Sequence, residues 1–191
     1  MPEKSKEIES KVGSPDKGAT ASATEKKRKL HIGLDLGTLQ SCFVNKLNKP
    51  GSEEDVGTIV PTIVGYPEDG ILSGILPGNS KMLHGEEAIA NELHLRLVHP
   101  LSDGVVSDLE ATKSFLKYLR GKVDPEFKRE VLCVIGIPAV ADNDAKENLK
   151  KAAKGAFDGI LFIPEPFLAA LGMRDEDRLE DPDYKDPVSN F

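Results

Sequence analysis

The sequence predicts an α/β domain built on a mixed sheet, with helices packed around it. Three observations carry that prediction. Leu30, Ile32 and Leu34 alternate with smaller or polar residues, which marks a strand entering a hairpin. Val131–Ile137 is a nearly continuous apolar run, the pattern of a central strand covered on both faces. Leu109, Thr112, Leu116 and Leu119 recur at helical spacing, and a Lys/Ala-rich stretch follows the apolar run. The order β-β-β, helix, β, helix, β calls for a mixed sheet.

Each element follows from local chemistry. Residues 1–29 hold almost no large aliphatic side chains, so they cannot bury enough apolar surface to offset their ordering entropy; they predict a disordered tail. Its last residues, Lys26–Lys29, form a basic run of the kind found on solvated tail ends. After the first strand, Asp35-Leu36-Gly37-Thr38 reads as a turn, and Ser41–Leu47 as the returning strand. Asn48–Gly57 reads as a loop. Thr58–Tyr66 is β-branched and extended, with Pro61 pointing to a sheet edge or bulge. Ile71–Leu76 predicts a short strand ended by the turn Pro77-Gly78-Asn79. Glu86–Leu97 predicts a helix.

Beyond the loop His99–Gly104, Ser107 or Asp108 can cap a helix running to about Arg120, with Gly121 at its C-terminus. Asp142 or Asn143 starts the next helix, to about Ala156. Ile160–Ile163 is a further strand. Pro164-Glu165-Pro166 opens a short helix, with Pro166 suited to the first turn. Residues 174–187, with seven acids and three bases, read as an acidic, exposed linker. Three units result: a tail over 1–29, a domain over 30–173 and the linker over 174–191.

Composition narrows the function. A net charge of −7 disfavours a nucleic-acid binder, which needs a basic face to release phosphate counterions. Two cysteines, Cys42 and Cys133, exclude a disulfide-stapled scaffold and read as buried thiols. Four scattered histidines make no zinc ligand set, and His31 reads as an ordinary strand residue. No apolar run approaches the roughly 20 residues of a membrane span, and the N-terminus lacks the apolar core of a secretory signal. These features fit a cytoplasmic protein.

Three segments carry candidate chemistry. In Asp35-Leu36-Gly37-Thr38-Leu39-Gln40-Ser41, Gly37 lets backbone N–H groups turn toward an anion, Thr38 adds a hydroxyl, and Asp35 at a strand end can hold a hydrated Mg²⁺ near phosphates. In Asp103-Gly104-Val105-Val106-Ser107-Asp108, a turn leads to a helix cap, and Asp108 can also face a phosphate pocket. In Ile163–Gly172, a strand end delivers Glu165 to a helix start, where a carboxylate can position a water for attack on a phosphoryl group. Taken singly, these read equally well as a polar turn, a helix cap and a helix start.

Taken together and in this order, they resemble the actin-like ATPase superfamily, whose sheet is of the ribonuclease H-like kind. Ile32–Thr38 resembles its first phosphate-binding hairpin, and Val60–Val64 the strand that follows. Gly85-Glu86-Glu87-Ala88 resembles the next helix entry. Pro100–Asp108 and Val134–Ala139 resemble segments of bacterial actins, and Glu165–Gly172 resembles the segment called connect-1. The Val64-Gly65-Tyr66-Pro67 run and Glu165-Pro166-Phe167 are most similar to the bacterial actins of magnetosome filaments.

The resemblance implies an ATPase that binds ATP and Mg²⁺ and self-associates into cytoplasmic filaments that align magnetosomes, with magnetosome-associated proteins as partners. On matching positions it implies that Asp35 binds the metal through water and that Gly37, Thr38 and Leu39 cradle the β- and γ-phosphates. Glu165 would orient the hydrolytic water. Leu39 stands where the family has Thr or Ala. The resemblance covers residues 30–173 and implies a first lobe only, with a small subdomain inserted at about 58–98. The second phosphate loop and second lobe are expected beyond Phe191, so the 191 residues alone are expected to hydrolyse ATP poorly. Two alternatives stand beside this reading: the ATPase lobe of a heat-shock-70 chaperone, recognised by a substrate-binding domain downstream, and a non-catalytic interaction module, recognised by failure to bind nucleotide.

Overall fold

The structure, a computed structural model, describes residues 29–45, 57–72 and 74–190. Of the tail predicted over 1–29, residues 1–28 lie outside the described residues and Lys29 already belongs to the first strand; the loop predicted over 48–57 lies outside them but for Gly57. In chain order the strands are β1 (Lys29–Leu36), β2 (Gln40–Asn45), β3 (Thr58–Pro61), β4 (Val64–Pro67), β5 (Leu83–His84), β6 (Leu95–Val98), β7 (Leu101–Ser102), β8 (Val105–Val106), β9 (Glu130–Ile137) and β10 (Gly159–Pro164). The helices are α1 (Glu86–Ala90), α2 (Leu109–Val123), α3 (Asn143–Ala153) and α4 (Glu165–Gly172).

The main sheet has the order β10-β9-β1-β2-β3. β1 pairs antiparallel with β2 and parallel with β9, and β10 continues the parallel side. The mixed sheet is therefore as predicted. Alternation in β1 separates two faces. Leu30, Ile32, Leu34 and Leu36 are buried, whereas Lys29, His31, Gly33 and Asp35 are exposed. The buried face meets Phe115, Leu116 and Leu119 of α2 and Leu149, Ala152 and Ala153 of α3 in one core.

β9 corrects one expectation. Its apolar run predicted cover on both faces, yet only Val131, Cys133, Ile135 and their neighbours toward the strand end are buried, with Leu132 and Val134 half-buried. The reason is that α2 and α3 both lie on one face, while α4 reaches the other only near Gly136. Burial pushes the Cys133 thiol up to about 12, so it is inert, as a buried thiol should be.

The stretch 58–66 is not one strand. Pro61 ends β3 at the sheet edge, and the chain passes into a separate sheet of order β5-β4-β6. That sheet has its own small core of Ile63, Leu76, Leu83, Ala88 and Leu95. Among the described residues of 71–76 no strand forms. Leu76 is buried in the small core and Ile71 packs against it, but Leu72 is 74% exposed and Gly70 and Gly74 take positive φ, so the segment turns instead of pairing. The helix predicted over 86–97 stops at Ala90. A short 3-10 turn follows, and 95–98 extends as β6, because β4 offers it a free edge: Gly65 pairs with Leu97 and Tyr66 with Arg96.

α2 runs through Gly121 to Val123, past its predicted end, and is capped by Asp108. The acidic segment after 173 closes on itself. Arg174 and Asp186 form an ion pair at 3.1 Å, and the Asp175 N–H donates to Tyr184 Oη at 2.7 Å.

Candidate functional site

The site forms where the open sheet face meets three chain reversals. The first is the β1–β2 turn. Asp35 is the penultimate residue of β1, on the exposed face and opposite Cys42. At Gly37 a Cβ would collide with the carbonyl of Gln40, so the turn can close this tightly only with glycine. The second reversal is the β7–β8 hairpin. Its two-residue tip, Asp103-Gly104, has φ of 51° and 76°, positive at both central positions as a hairpin turn of this length requires. A Cβ on Gly104 would also come within 2.8 Å of Pro138 Cγ. The two turns are joined directly: the Gly104 N–H donates to Thr38 Oγ1 at 3.2 Å.

The third reversal is the junction of β10 and α4. Pro164 precedes the helix, Glu165 begins it, and Pro166 occupies its first turn without forfeiting a helical hydrogen bond. Glu165 leans over Gly136. A Cβ there would lie 3.4 Å from Glu165 Cγ and 3.3 Å from Leu168 Cδ1, so glycine allows α4 to approach β9.

The three reversals enclose a cleft of about 790 Å³, whose walls include Asp35, Gly37, Thr38, Gly104, Gly136 and Glu165. Four of the residues singled out from sequence, Asp35, Gly37, Thr38 and Glu165, are thus brought together. Two are not. The Leu39 side chain is 69% exposed outside the cleft, and its carbonyl accepts from the Thr62 N–H at 2.9 Å. Asp108 is used as the cap of α2: its Oδ1 accepts from the Ala111 N–H at 2.9 Å, and it is not part of the cleft wall. Asp is favoured at helix caps, and the cap is the role filled here. Gly104 and Gly136, in turn, were not picked out as cleft residues. Gly136 could have been: it interrupts an otherwise apolar strand, a sign of close backbone approach.

The chemistry of the walls is one-sided. Asp35, Asp103 and Glu165 contribute carboxylates, and among the described residues no Lys, Arg or His lines the cleft. A polyanion would be repelled unless a divalent cation entered with it. Carboxylate and hydroxyl oxygens are hard donors, suited to Mg²⁺ with retained waters and not to a softer metal. The residues present therefore fit a magnesium–phosphate ligand.

The central parallel strands, the glycine-closed hairpin and the carboxylate at the helix start define an actin-like fold. The family can be given more closely: the profile of the MreB/Mbl protein family matches residues 29–176, and the chain belongs to that family. Among curated proteins, the actin-like protein MamK of Magnetospirillum gryphiswaldense is 30% identical over 152 residues, 77% of this chain and 40% of the relative. The chain thus spans about two fifths of that relative's length. Among solved structures, a MamK double helical filament matches with a TM-score of 0.66 and 28% identity, over 76% of this chain and 44% of the other. A non-polymerising MamK mutant bound to AMPPNP matches with a TM-score of 0.64 and 29% identity, over 77% and 44%. These relatives favour a bacterial actin over a heat-shock-70 lobe. No helix among the described residues is long and apolar enough to cross a membrane.

Proposed function

We propose that the cleft binds the phosphates of ATP with Mg²⁺, and that the chain is the first-lobe part of a bacterial actin that hydrolyses ATP and self-associates into filaments. The observation that carries the reading is the convergence of Asp35, Gly37, Thr38 and Glu165 on one cleft. Support comes from a MamK relative bound to AMPPNP and from another that forms a double helical filament. In this reading residues 30–173 form the lobe, with a small subdomain at about 58–98, and 174–191 lead toward a second lobe.

Each residue has a task. Asp35 would hold the metal through water. Mg²⁺, when bound, would neutralise phosphate charge that three carboxylates otherwise repel. The backbone of the Gly37–Thr38 turn would approach the phosphates closely, with the Thr38 hydroxyl held in place by Gly104. Leu39 would contribute only through its main chain. Glu165, exposed at the first turn of α4, would orient the attacking water. By likeness to MamK, the filament would lie in the cytoplasm and position magnetosomes through magnetosome-associated partners.

The test is binding of a fluorescent ATP analogue to the 191-residue chain with and without Mg²⁺. The reading expects Mg²⁺-dependent binding competed by ATP, and at least tenfold weaker binding in Asp35→Ala, about 1.4 kcal/mol. Glu165→Gln should leave binding nearly unchanged. Binding that ignores both Mg²⁺ and Asp35 would remove the reading of the cleft, and failure to bind the analogue at all would remove it in favour of a non-catalytic interaction module.

A further inference from the structure

At the other side of the sheet, β10 is an edge strand: among the described residues no strand pairs with its outer side. Backbone groups along a strand point alternately to its two sides. Val131 turns both its N–H and its C=O toward Asp158, at 2.7 and 2.9 Å, so Val131, Cys133 and Ile135 face β10 and engage Gly159, Leu161 and Ile163, whereas Ile160 and Phe162 present their backbone N–H and C=O groups outward. Beside this edge lies a groove of about 570 Å³. Phe157, Ile160 and Phe162 form its floor, and Lys146, Lys150 and Lys154 line it from the side of α3. Their spacing of four residues places the three lysines in one row along the helix.

The groove's own acids are already engaged. Glu147 lies 3.5 Å from Lys150. Asp158 Oδ2 accepts from the Val131 N–H at 2.7 Å and lies 4.0 Å from Arg120 Nη2. Lys146 and Lys154 make no ion pair among the described residues, in a chain whose net charge is −7. A basic row over an apolar floor, along an open strand edge, is a combination that recognises extended acidic chains.

We propose that this edge docks an extended acidic segment of a partner protein by strand addition to β10. Main-chain hydrogen bonds to Ile160 and Phe162 give the pairing, apolar side chains rest on the floor of Phe157, Ile160 and Phe162, and carboxylates meet Lys146 and Lys154. A second copy of this chain is disfavoured by charge. Two β10 edges meeting about a two-fold axis would bring two lysine rows together.

The probe is a labelled peptide of about twelve residues in which every second residue is Glu or Val and the rest are Thr, so that one face carries both groups. Fluorescence anisotropy with the 191-residue chain should show saturable binding, at least roughly tenfold weaker in the double variant Lys146→Glu/Lys154→Glu. The milder Lys146→Gln/Lys154→Gln, which keeps the fold without reversing charge, should weaken it less. A peptide methylated at alternate backbone nitrogens should fail to bind, and hydrogen exchange should slow at 159–163 on binding. The proposal is overturned by absence of saturable binding, by binding indifferent to either lysine variant or to backbone methylation, or by protection elsewhere. It is also overturned if those lysines serve a dimer of the chain, or adsorption to anionic lipid vesicles, while the peptide does not bind.

Discussion

Asp124 carries the most concentrated electrostatics in the molecule. It sits just past α2 with Arg120, both nearly fully buried, at 2.8 Å. Arg120 also donates to the Arg129 carbonyl, and the Arg129 N–H donates to Asp124 Oδ2. Burial pushes the Asp124 carboxyl up, but these hydrogen bonds and the Arg120 charge outweigh it and hold the group below its usual 3.8. Its stabilising contribution is therefore full above about pH 4 and is lost as pH falls through the lowered value. Asp124→Ala leaves the Arg120 charge buried and should cost about 3–5 kcal/mol in urea unfolding. His84 acts in the same direction for a different reason. Burial lowers it from 6.5, while it bonds Ser114 at 2.7 Å and stacks on Tyr118. The unfolded chain then takes up the proton first, so stability should decline as pH drops below about 6.5. His84→Gln should flatten that slope in thermal melts followed between about pH 7 and pH 5. At this scale the cleft was legible where residue type and conformation coincide: Gly37 is required by contact, and Asp35 and Glu165 stand at strand and helix ends. Asp108 could be read from sequence as a cap or as a cleft residue, and the hydrogen bond it makes here is the cap.

Elements were legible where one face is buried against something large. β1, α2 and α3 show their periodicity because each packs on the main core, and they lie close to their predicted places. The small sheet was not legible. Its core of five buried residues is gathered from segments far apart, so no local pattern announces it. Leu95 and Leu97, two residues apart, have the spacing of one face of a strand and not of a helix, and pairing with β4 realises it. Leu93, 88% exposed, contributes no burial to hold a longer α1. Caps can be tested directly. Asp108 bonds the Ala111 N–H at 2.9 Å, and Asp142 bonds the Ala145 N–H at 2.8 Å. Asp108→Ala should cost about 1 kcal/mol in urea unfolding and leave nucleotide-analogue binding within a factor of about two, because the carboxylate is engaged away from the cleft. A large loss of binding with unchanged stability would instead return Asp108 to the phosphate site.

For the whole molecule, the main sheet covered by helices on one face leaves the other face to build a site. β1 and β2 supply the hairpin, β7 and β8 brace it through Gly104, and β10 launches α4 toward Gly136. The fold class could be read from the order of elements, and the family from three short motifs. The way the β7–β8 hairpin locks onto Thr38 could not, since it joins residues 66 positions apart. A cleft whose described walls carry carboxylates and no basic side chain makes one demand on its ligand: anion and divalent cation must arrive together. The most direct test is the thermal melt of the 191-residue chain with ATP alone, Mg²⁺ alone and both. A ligand that binds only the folded state at 100 times its Kd stabilises by about 2.7 kcal/mol. The account predicts that the midpoint rises only when ATP and Mg²⁺ are both present, and that Asp35→Ala removes the rise. An equal rise with ATP alone, or a rise that survives Asp35→Ala, would contradict it.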